Sequence, residues 1–225
     1  MSQANSSSLQ GKCALVTGAA RRIGAAIAGL LHSHGASVAI HYRGSETAAA
    51  ELSADLNRLR DDSARTFRCD LAQPGEPAAL IDAVTGWSGR LDILVNNAST
   101  FYATPLGTVT EDQWLDLVGS NLKAPLFLSQ AAMPHLKSSQ GSIVNIIDIH
   151  AKRPLRDHSV YVSAKAGLHM LTRSLARELA PDVRVNGVAP GAIAWPEQDM
   201  SDAVKEKIIG EIPLGRTGNP AGFRR

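Results

Sequence analysis

The chain has 225 residues, of which 44% are hydrophobic and 20% are charged, and these proportions exclude a disordered or collagen-like protein. Its 23 basic and 21 acidic side chains give a net charge of only +2, which does not favour a nucleic-acid-binding protein. No run of about 18 apolar residues is present, so the sequence predicts no transmembrane helix and no membrane partner.

Residues 1–10 are polar and rich in serine, which predicts a flexible leader and not a secretory signal peptide. Residues 11–225 are expected to form one domain. Cys13 and Cys69 lie in apolar runs without metal-ligand spacing, so both are predicted to be free buried thiols of a reducing compartment. The seven histidines also lack ligand spacing, and His150 and His158 are interpreted as loop residues. We therefore expect a cytoplasmic protein without a metal.

Short β-rich runs alternate with longer runs of helical apolar periodicity. This alternation predicts one doubly wound parallel sheet of the Rossmann-like α/β class, with ligands beyond the carboxyl ends of the strands. The longest helical run should be irregular at Pro125 and Pro134, because proline donates no backbone hydrogen bond. In chain order the predicted elements are strand 12–17, helix 22–34, strand 37–42, helix 46–60, strand 65–70, helix 76–87, strand 91–95, helix 111–136, strand 142–147, helix 159–179 and strand 183–188.

A glycine-containing turn follows the first predicted strand and opens the first predicted helix. Gly18 would allow a sharp turn, and Gly24 would allow the helix and strand to approach closely. The helix N-terminus would then offer free N–H groups to a pyrophosphate. We predict nucleotide binding here, with a βα turn that holds no ligand as the alternative. The predicted contacts from this turn are Thr17, Gly18, Arg22, Ile23 and Gly24.

The end of the second predicted strand indicates which dinucleotide is bound. An NAD site usually carries an acidic residue here, whereas an arginine accommodates a ribose 2′-phosphate. Arg43, with Ser45 as a hydroxyl donor, therefore predicts NADP(H), and an arginine facing solvent is the alternative. Asp70, with Leu71 beside it, resembles an adenine-contacting position, although it could equally be a helix N-cap. His41 and Tyr42 complete the contacts predicted from this region.

Tyr161 and Lys165 are four residues apart in a predicted helix, so they share one helix face. A phenol with a pKa of about 10 is a poor catalyst at neutral pH, and a nearby ammonium lowers that pKa. Alone, such a pair is most often an ordinary surface pair. After a dinucleotide-binding turn, it becomes a candidate catalytic pair.

With these motifs in place, the sequence resembles the short-chain dehydrogenase/reductase family over almost its whole length. The resemblance implies that Tyr161 transfers the substrate proton, that Lys165 lowers its pKa and holds the nicotinamide ribose, and that Asn121 supports a water-linked proton relay. The motifs that carry the resemblance are the glycine turn, Asn96-Asn97-Ala98-Ser99, Asn121, the Tyr161 and Lys165 pair, and Pro190-Gly191. Cofactor contacts are implied for Asn97, Ala98, Ser99, Lys165, Pro190 and Gly191.

Three departures from the family pattern resemble pteridine reductases. The usual middle glycine of the turn is Arg22, the usual catalytic serine is Asp148, and the loop after the fourth strand carries Phe101. The resemblance implies that Phe101 stacks on a pterin ring and that Ser99 and Arg22 hydrogen-bond the pterin or a cofactor phosphate. It also implies that Asp148 works with Tyr161, and that both contact the substrate. Ordinary structural alternatives are a Phe101 tucked onto the core and an Asp148 that is a helix cap or a surface acid.

We therefore predict an NADPH-dependent oxidoreductase that reduces dihydropterin to the tetrahydro form, with oxidised pterin and dihydrofolate as further candidate substrates. One alternative is another carbonyl reductase of the family, such as a 3-oxoacyl thioester reductase. A second alternative is a catalytically silent nucleotide-binding interaction protein. Family analogy implies a homotetramer.

The last residues differ from the ending that the family resemblance implies. Relatives continue beyond an Arg-x-Gly-x-Pro stretch, here residues 216–220, into one more helix and strand that this sequence is expected to lack. A missing strand would leave a sheet edge unpaired and lower stability, which keeps the silent alternative open. Trp195 and the residues to Met200 are expected either to shape the pterin pocket or to seal a surface.

Overall fold

The computed structural model describes residues 8–193 and 201–219. Its parallel strands form one sheet in the order β3-β2-β1-β4-β5-β6. The chain moves outward from the middle of the sheet in one direction and then in the other, so the switch point lies between the first and fourth strands. The strands are β1 (Cys13–Val16), β2 (Ser37–Tyr42), β3 (Ala64–Arg68), β4 (Ile93–Asn96), β5 (Ser142–Ile146) and β6 (Arg184–Val188).

Helices cover both faces of the sheet. One apolar cluster packs the first two helices on one face, and a second packs the third, fifth and sixth helices on the other. Leu15 and Leu94 are fully buried in the second cluster, and each contributes about 2 kcal/mol through the apolar surface removed from water. The helices are α1 (Arg22–Ser33), α2 (Glu46–Leu59), α3 (Glu76–Ser88), α4 (Glu111–Val118), α5 (Ala124–Ser139), α6 (Ser159–Glu178) and α7 (Asp202–Glu211).

The predicted fold class is confirmed, and most predicted boundaries differ from the observed ones by one or two residues. Helix α7 was not predicted, because its apolar residues are few and all of its described side chains are at least partly exposed. Cys69 was predicted to be buried, whereas it is only partly buried. Most of the predicted leader, the Trp195 segment and the chain after residue 219 lie outside the described residues.

The irregularity predicted at Pro125 is found just before that residue, and the one predicted at Pro134 is wrong. The break is a π turn over Gly119–Lys123, which joins α4 to α5, while Pro134 lies inside α5 without interrupting it. Pro125 occupies the first turn of α5, where it cannot donate to the carbonyl of Asn121 four residues earlier. The effect of the proline therefore appears one turn before it.

No helix within residues 8–193 and 201–219 is both long enough and apolar enough to cross a membrane.

Candidate active site

The loop between β1 and α1 forms a glycine turn at the switch point of the sheet. Gly18 has a φ of +60°, a left-handed conformation that glycine adopts without strain. Its backbone N–H donates to Nδ1 of His41 at 3.1 Å, which ties the turn to β2. A side chain at Gly24 would collide with the Gly18 carbonyl oxygen and lie 2.6 Å from Nδ2 of Asn97. Only glycine therefore permits this close approach of α1.

The N-terminus of α1 opens towards this turn. Arg21 occupies the N-cap position, and its guanidinium only donates, so it cannot cap the N–H groups of the helix. A helix N-terminus of this kind is a favourable place for a phosphate. Arg22 has a φ of +54°, which costs roughly 1 kcal/mol in a residue with a Cβ. The glycine usual in the family would avoid this strain. The turn thus fits the pyrophosphate of a dinucleotide and places an exposed arginine at its rim.

Thr17 and Asn97 hold the carboxyl ends of β1 and β4 together. Oγ1 of Thr17 accepts from the backbone N–H groups of Asn97 and Ala98 at 2.9 and 3.0 Å. Nδ2 of Asn97 donates to the Thr17 carbonyl at 2.8 Å. These contacts shape the crevice, so only the remaining polar atoms of the two residues could reach a cofactor.

His41 and Tyr42 are buried at the end of β2, behind the glycine turn. Nδ1 of His41 accepts from Gly18, so the ring proton lies on Nε2, which donates to the Cys69 carbonyl at 3.2 Å. Burial lowers the pKa of His41 to about 4. Tyr42 packs into the apolar cluster under α1 and α2. Both residues were predicted as cofactor contacts, and the structure places their side chains in support of the turn.

Arg43 lies at the surface beyond β2. Its guanidinium forms an ion pair with Asp116 of α4, with 3.6 Å between Nη1 and Oδ1. Ser45 is at the N-cap position of α2 but makes no side-chain capping bond, so its hydroxyl is not used by the helix. The pairing with Asp116 was not predicted, and it places an acidic competitor beside the proposed 2′-phosphate site.

Asp70 and Leu71 follow β3. Oδ1 of Asp70 accepts from the backbone N–H of Ala72 at 3.1 Å and so stabilises a local turn. The alternative that Asp70 caps a helix is wrong, because Gly75 is the N-cap residue of α3. Leu71 is buried beside it.

The π turn presents Asn121 to the loop after β4. Nδ2 of Asn121 donates to the carbonyls of Thr100 and Leu117, at 2.9 Å in each case. Oδ1 of Asn121 accepts from Oγ of Ser99 at 2.6 Å. Asn121 therefore anchors the loop that carries Phe101.

Asp148 and Tyr161 are in direct contact. The phenol of Tyr161 donates to Oδ2 of Asp148 at 2.6 Å, a distance typical of a charge-assisted O–H bond. Oδ1 of Asp148 accepts from the backbone N–H of His150 at 2.8 Å and caps a short 3₁₀ turn, Ile149–Ala151. The alternative that Asp148 is a cap is thus correct for one oxygen, while the other faces Tyr161.

Lys165 is buried one helical turn after Tyr161. Its Nζ donates to the Ile146 carbonyl at 3.0 Å and lies 5.8 Å from the centre of the Tyr161 ring. Burial lowers the pKa of Lys165 to about 8, and the charge of Asp148 opposes this shift. The ammonium can therefore exchange a proton near neutral pH.

The pKa of Tyr161 is raised, which is opposite to the sequence prediction. Burial is the main cause, and the charge of Asp148 and the hydrogen bond to it act in the same direction. The prediction considered only the lysine and neglected the carboxylate. Tyr161 therefore keeps its proton at neutral pH, and in the free protein it is a weaker acid than an ordinary phenol.

Phe101 lies beside the candidate catalytic pair and not in the core. Its ring meets the Tyr161 ring edge-on, with centroids 4.8 Å apart, and it stacks on the His158 ring at 4.7 Å. The side chain is 49% exposed. The alternative of a Phe101 tucked onto the core is therefore wrong.

Pro190 and Gly191 follow β6 at the same edge of the sheet. The Pro190 carbonyl accepts from the backbone N–H of Ile149 at 3.1 Å, which brings this segment next to the 3₁₀ turn that Asp148 caps. Within the described residues, no group of three His, Cys, Asp or Glu side chains could hold a metal ion.

A family model described as short chain dehydrogenase matches residues 12–207. The chain belongs to this family. Family membership makes it an oxidoreductase that uses a nicotinamide dinucleotide. The candidate catalytic residues and the glycine turn all lie inside the matched range.

Two kinds of relative are about equally similar in sequence to this chain. Pteridine reductase 1 of Leishmania tarentolae is 38% identical over 247 residues, covering 92% of this chain and 85% of the relative. The 3-oxoacyl-acyl-carrier-protein reductase FabG of Staphylococcus aureus is 38% identical over 210 residues, with the same two coverages. FabG of Vibrio cholerae is 37% identical over 218 residues, covering 94% of this chain and 86% of the relative. Overall sequence identity does not distinguish between the two activities, so the distinction has to come from the residues of the site.

Sequence reasoning missed two residues at this site. His158 was interpreted as a loop residue, although it occupies the N-cap position of α6 and stacks on Phe101. Its spacing of three residues before Tyr161 could have indicated a shared helix face. Asp116 carried no such signal, because its partner Arg43 is distant in the sequence.

Proposed function

We propose that the chain catalyses NADPH-dependent reduction of dihydropterin to the tetrahydro form, with oxidised pterin and dihydrofolate as further substrates. One observation carries the proposal: the Tyr161 phenol donates to a carboxylate, Asp148, at 2.6 Å. The family resemblance implies a serine at this position in carbonyl reductases, where a hydroxyl hydrogen-bonds the substrate oxygen. A carboxylate cannot donate such a bond in its ionised form.

Reduction of a pterin C=N bond requires a hydride at the carbon and a proton at the nitrogen. We assign Tyr161 as the proton source because its phenol faces the proposed substrate surface. Its raised pKa makes it a weak acid in the free protein, so proton transfer requires the phenolate to be stabilised as it forms. Asp148 accepts from the same hydroxyl at 2.6 Å and so orients the phenol. The buried ammonium of Lys165, 5.8 Å from the ring centre, would stabilise the phenolate left after proton transfer.

The residues of the crevice fit NADPH, which supplies the hydride when bound. The glycine turn and the start of α1 would hold the pyrophosphate, and Arg22 lies at the rim of that turn. Arg43 and Ser45 would bind the 2′-phosphate, and Asp70 with Leu71 would contact the adenine. Lys165 would hold the nicotinamide ribose. The remaining proposed contacts are Ile23, Asn97, Ala98, Ser99, Pro190 and Gly191.

Phe101 offers the proposed substrate a flat apolar surface beside Tyr161. A pterin ring is planar, so stacking on a phenyl ring supplies contact area and orientation without competing polar groups. The hydroxyl of Ser99, which donates to Asn121 at 2.6 Å, lies at the start of the same loop and could turn towards a polar edge of the ring. These placements support a flat heteroaromatic substrate over an extended acyl chain.

The test is the substrate preference of the purified protein. NADPH oxidation is followed by absorbance with dihydrobiopterin, with dihydrofolate and with an acetoacetyl thioester, and NADH replaces NADPH in a parallel series. Turnover of the pterin with NADPH, and little turnover of the thioester, supports the proposal. Turnover of the thioester alone supports the second candidate, a 3-oxoacyl thioester reductase, which the similarity to FabG favours. No turnover with any of them favours a silent nucleotide-binding protein.

We also propose that the enzyme works as a homotetramer in the cytoplasm. Trp114, Leu115 and Phe127 on α4 and α5 are between 42% and 59% exposed, and a second copy could cover them. The proposed location in the cytoplasm is supported by Cys13 and Cys69, which are free thiols. Burial raises their pKa values to about 11 and about 12, so both stay protonated. Light scattering of the purified protein measures the assembly, and a monomeric mass would contradict it.

A further inference from the structure

We infer that His158 is a positioning residue that fixes the plane of Phe101 and thereby decides which face of that ring receives the substrate. The inference rests on the proposed function, because it concerns the pterin site. It assigns a role to a side chain that neither donates a proton to the substrate nor binds the cofactor in the proposal above.

The His158 ring is itself held in place. It stacks on Phe101 with 4.7 Å between the ring centres and only 15° between the planes. Its Nδ1 lies 2.7 Å from the Arg156 carbonyl oxygen, so Nδ1 must carry a proton and donate. This bond fixes the rotation of the imidazole and presents a flat surface to Phe101.

The loop of Phe101, residues 99–104, is pinned at both ends. At its start, Oγ1 of Thr100 shares a hydrogen bond with Oγ of Ser120 at 2.6 Å. At its end, the backbone N–H of Thr104 donates to the Asp157 carbonyl at 2.5 Å, and Thr104 forms a β-bridge with His158. The backbone on either side of Phe101 is therefore fixed, and the orientation of its ring depends on the side chains that touch it.

Those side chains cover one face and one edge of the Phe101 ring. His158 covers a face, and Tyr161 meets the ring at an interplanar angle of 78°. Because Phe101 is 49% exposed, part of its ring surface is left for a flat ligand. His158 thus restricts rotation of the phenyl ring and occupies the face on which it stacks, so a substrate must bind to the exposed part of the ring.

The experiment compares His158→Ala with His158→Phe, which restores a flat aromatic surface without the imidazole. His169→Ala removes another histidine of α6 and serves as the control. With dihydrobiopterin and saturating NADPH, His158→Ala should raise KM by about three- to tenfold, the equivalent of one aromatic contact, and change kcat less. His158→Phe should recover most of the loss, and the Kd for NADPH should stay unchanged in all three variants.

A lower KM in His158→Ala would overturn the inference, because it would mean that the imidazole occupies the place of the substrate. An unchanged KM, or a His158→Phe variant as impaired as His158→Ala, would also overturn it. A separate measurement needs no substrate and uses a Phe101→Trp reporter. The chain has three other tryptophans, so the signal is the anisotropy difference between each reporter protein and the same protein with Phe101. That signal should fall when His158→Ala is added, but not when His158→Phe is added. If the wild-type protein reduces no pterin but this anisotropy difference appears, the proposed function fails and the positioning of the ring stands. An unchanged anisotropy removes the role of His158 for any substrate.

Discussion

Replacement of Asp148 by asparagine tests the chemistry on which the proposed function depends. Asparagine has nearly the same shape, and its Oδ1 can still accept from the His150 N–H and keep the 3₁₀ turn capped. Its Nδ2 would then face the Tyr161 oxygen, which reverses the hydrogen bond that the phenol now donates at 2.6 Å. The substitution therefore removes the negative charge and the acceptor without removing the local fold.

We expect Asp148→Asn to lower pterin turnover by about a hundredfold, the lower end of the range for a group that assists proton transfer. The Kd for NADPH should change less than about twofold, because Asp148 is not among the proposed contacts of the glycine turn. The pKa of Tyr161 should also fall from its raised position, since the charge of Asp148 and the bond to it contribute to that shift, although burial still holds it above the usual value.

The assay combines the rate of dihydrobiopterin reduction with a spectroscopic titration of tyrosine ionisation. The chain has three tyrosines, so Tyr161→Phe supplies the baseline that isolates the signal of Tyr161. Asp148→Ser, which restores the residue usual in the family, should lose pterin turnover and gain turnover of an acetoacetyl thioester. Wild-type pterin turnover in Asp148→Asn, with an unchanged tyrosine titration, would remove Asp148 from the mechanism.

Three further predictions concern stability and cofactor choice. Lys165→Met should abolish turnover but raise the free energy of unfolding at pH 7 by roughly 2 kcal/mol. The reason is that the lysine pKa, lowered to about 8, shows that a charged ammonium is unfavourable in this buried place below that pH. Calorimetry measures the change in stability, and a lower melting temperature of the variant would contradict the prediction. His41 has its pKa lowered to about 4, so its contribution to stability is complete above about pH 6.5 and is lost as pH falls towards 4. Between pH 7 and pH 5 the free energy of unfolding, measured in urea, should therefore fall by about 2 kcal/mol more for the wild type than for His41→Gln. Equal falls in the two proteins would refute burial of the neutral imidazole as the cause. Asp116→Asn should tighten NADPH binding about threefold and leave NADH unchanged, because Asp116 competes with the 2′-phosphate for Arg43; equal effects on both cofactors would refute that competition.

Features that depend on local spacing were predicted well from the sequence. The strands and helices follow apolar periodicity, and the strand-to-helix turn at Gly18 and Gly24 follows from two glycines directly after a buried strand. The Tyr161 and Lys165 pair also follows from local spacing, because both lie on α6. For these features the residues that interact are close in the chain.

Features that depend on distant contacts were predicted only in part. The family resemblance predicted that Asp148 and Tyr161 act together. It did not predict that the pKa of Tyr161 is raised, because burial is the main cause of that shift. The pairing of Arg43 with Asp116 and the stacking of Phe101 on His158 join different elements, so no periodicity indicates them. The π turn lies where Pro125 leaves the carbonyl of Asn121 without a backbone donor, and its position is known only from the structure.

Backbone strain separates the functional edge of the sheet from ordinary turns. Among residues 8–193 and 201–219, four residues other than glycine have positive φ angles. Gln140 ends α5 in the left-handed conformation common at helix ends, and Asp62 lies in the turn that follows α2. Arg22 and Asp157 have no such role: Arg22 begins α1 at the glycine turn, and Asp157 precedes His158 in the segment that holds Phe101. Each costs roughly 1 kcal/mol that a glycine would avoid. Both lie in loops at the carboxyl edge of the sheet, so this strain falls where the cofactor and substrate site is proposed.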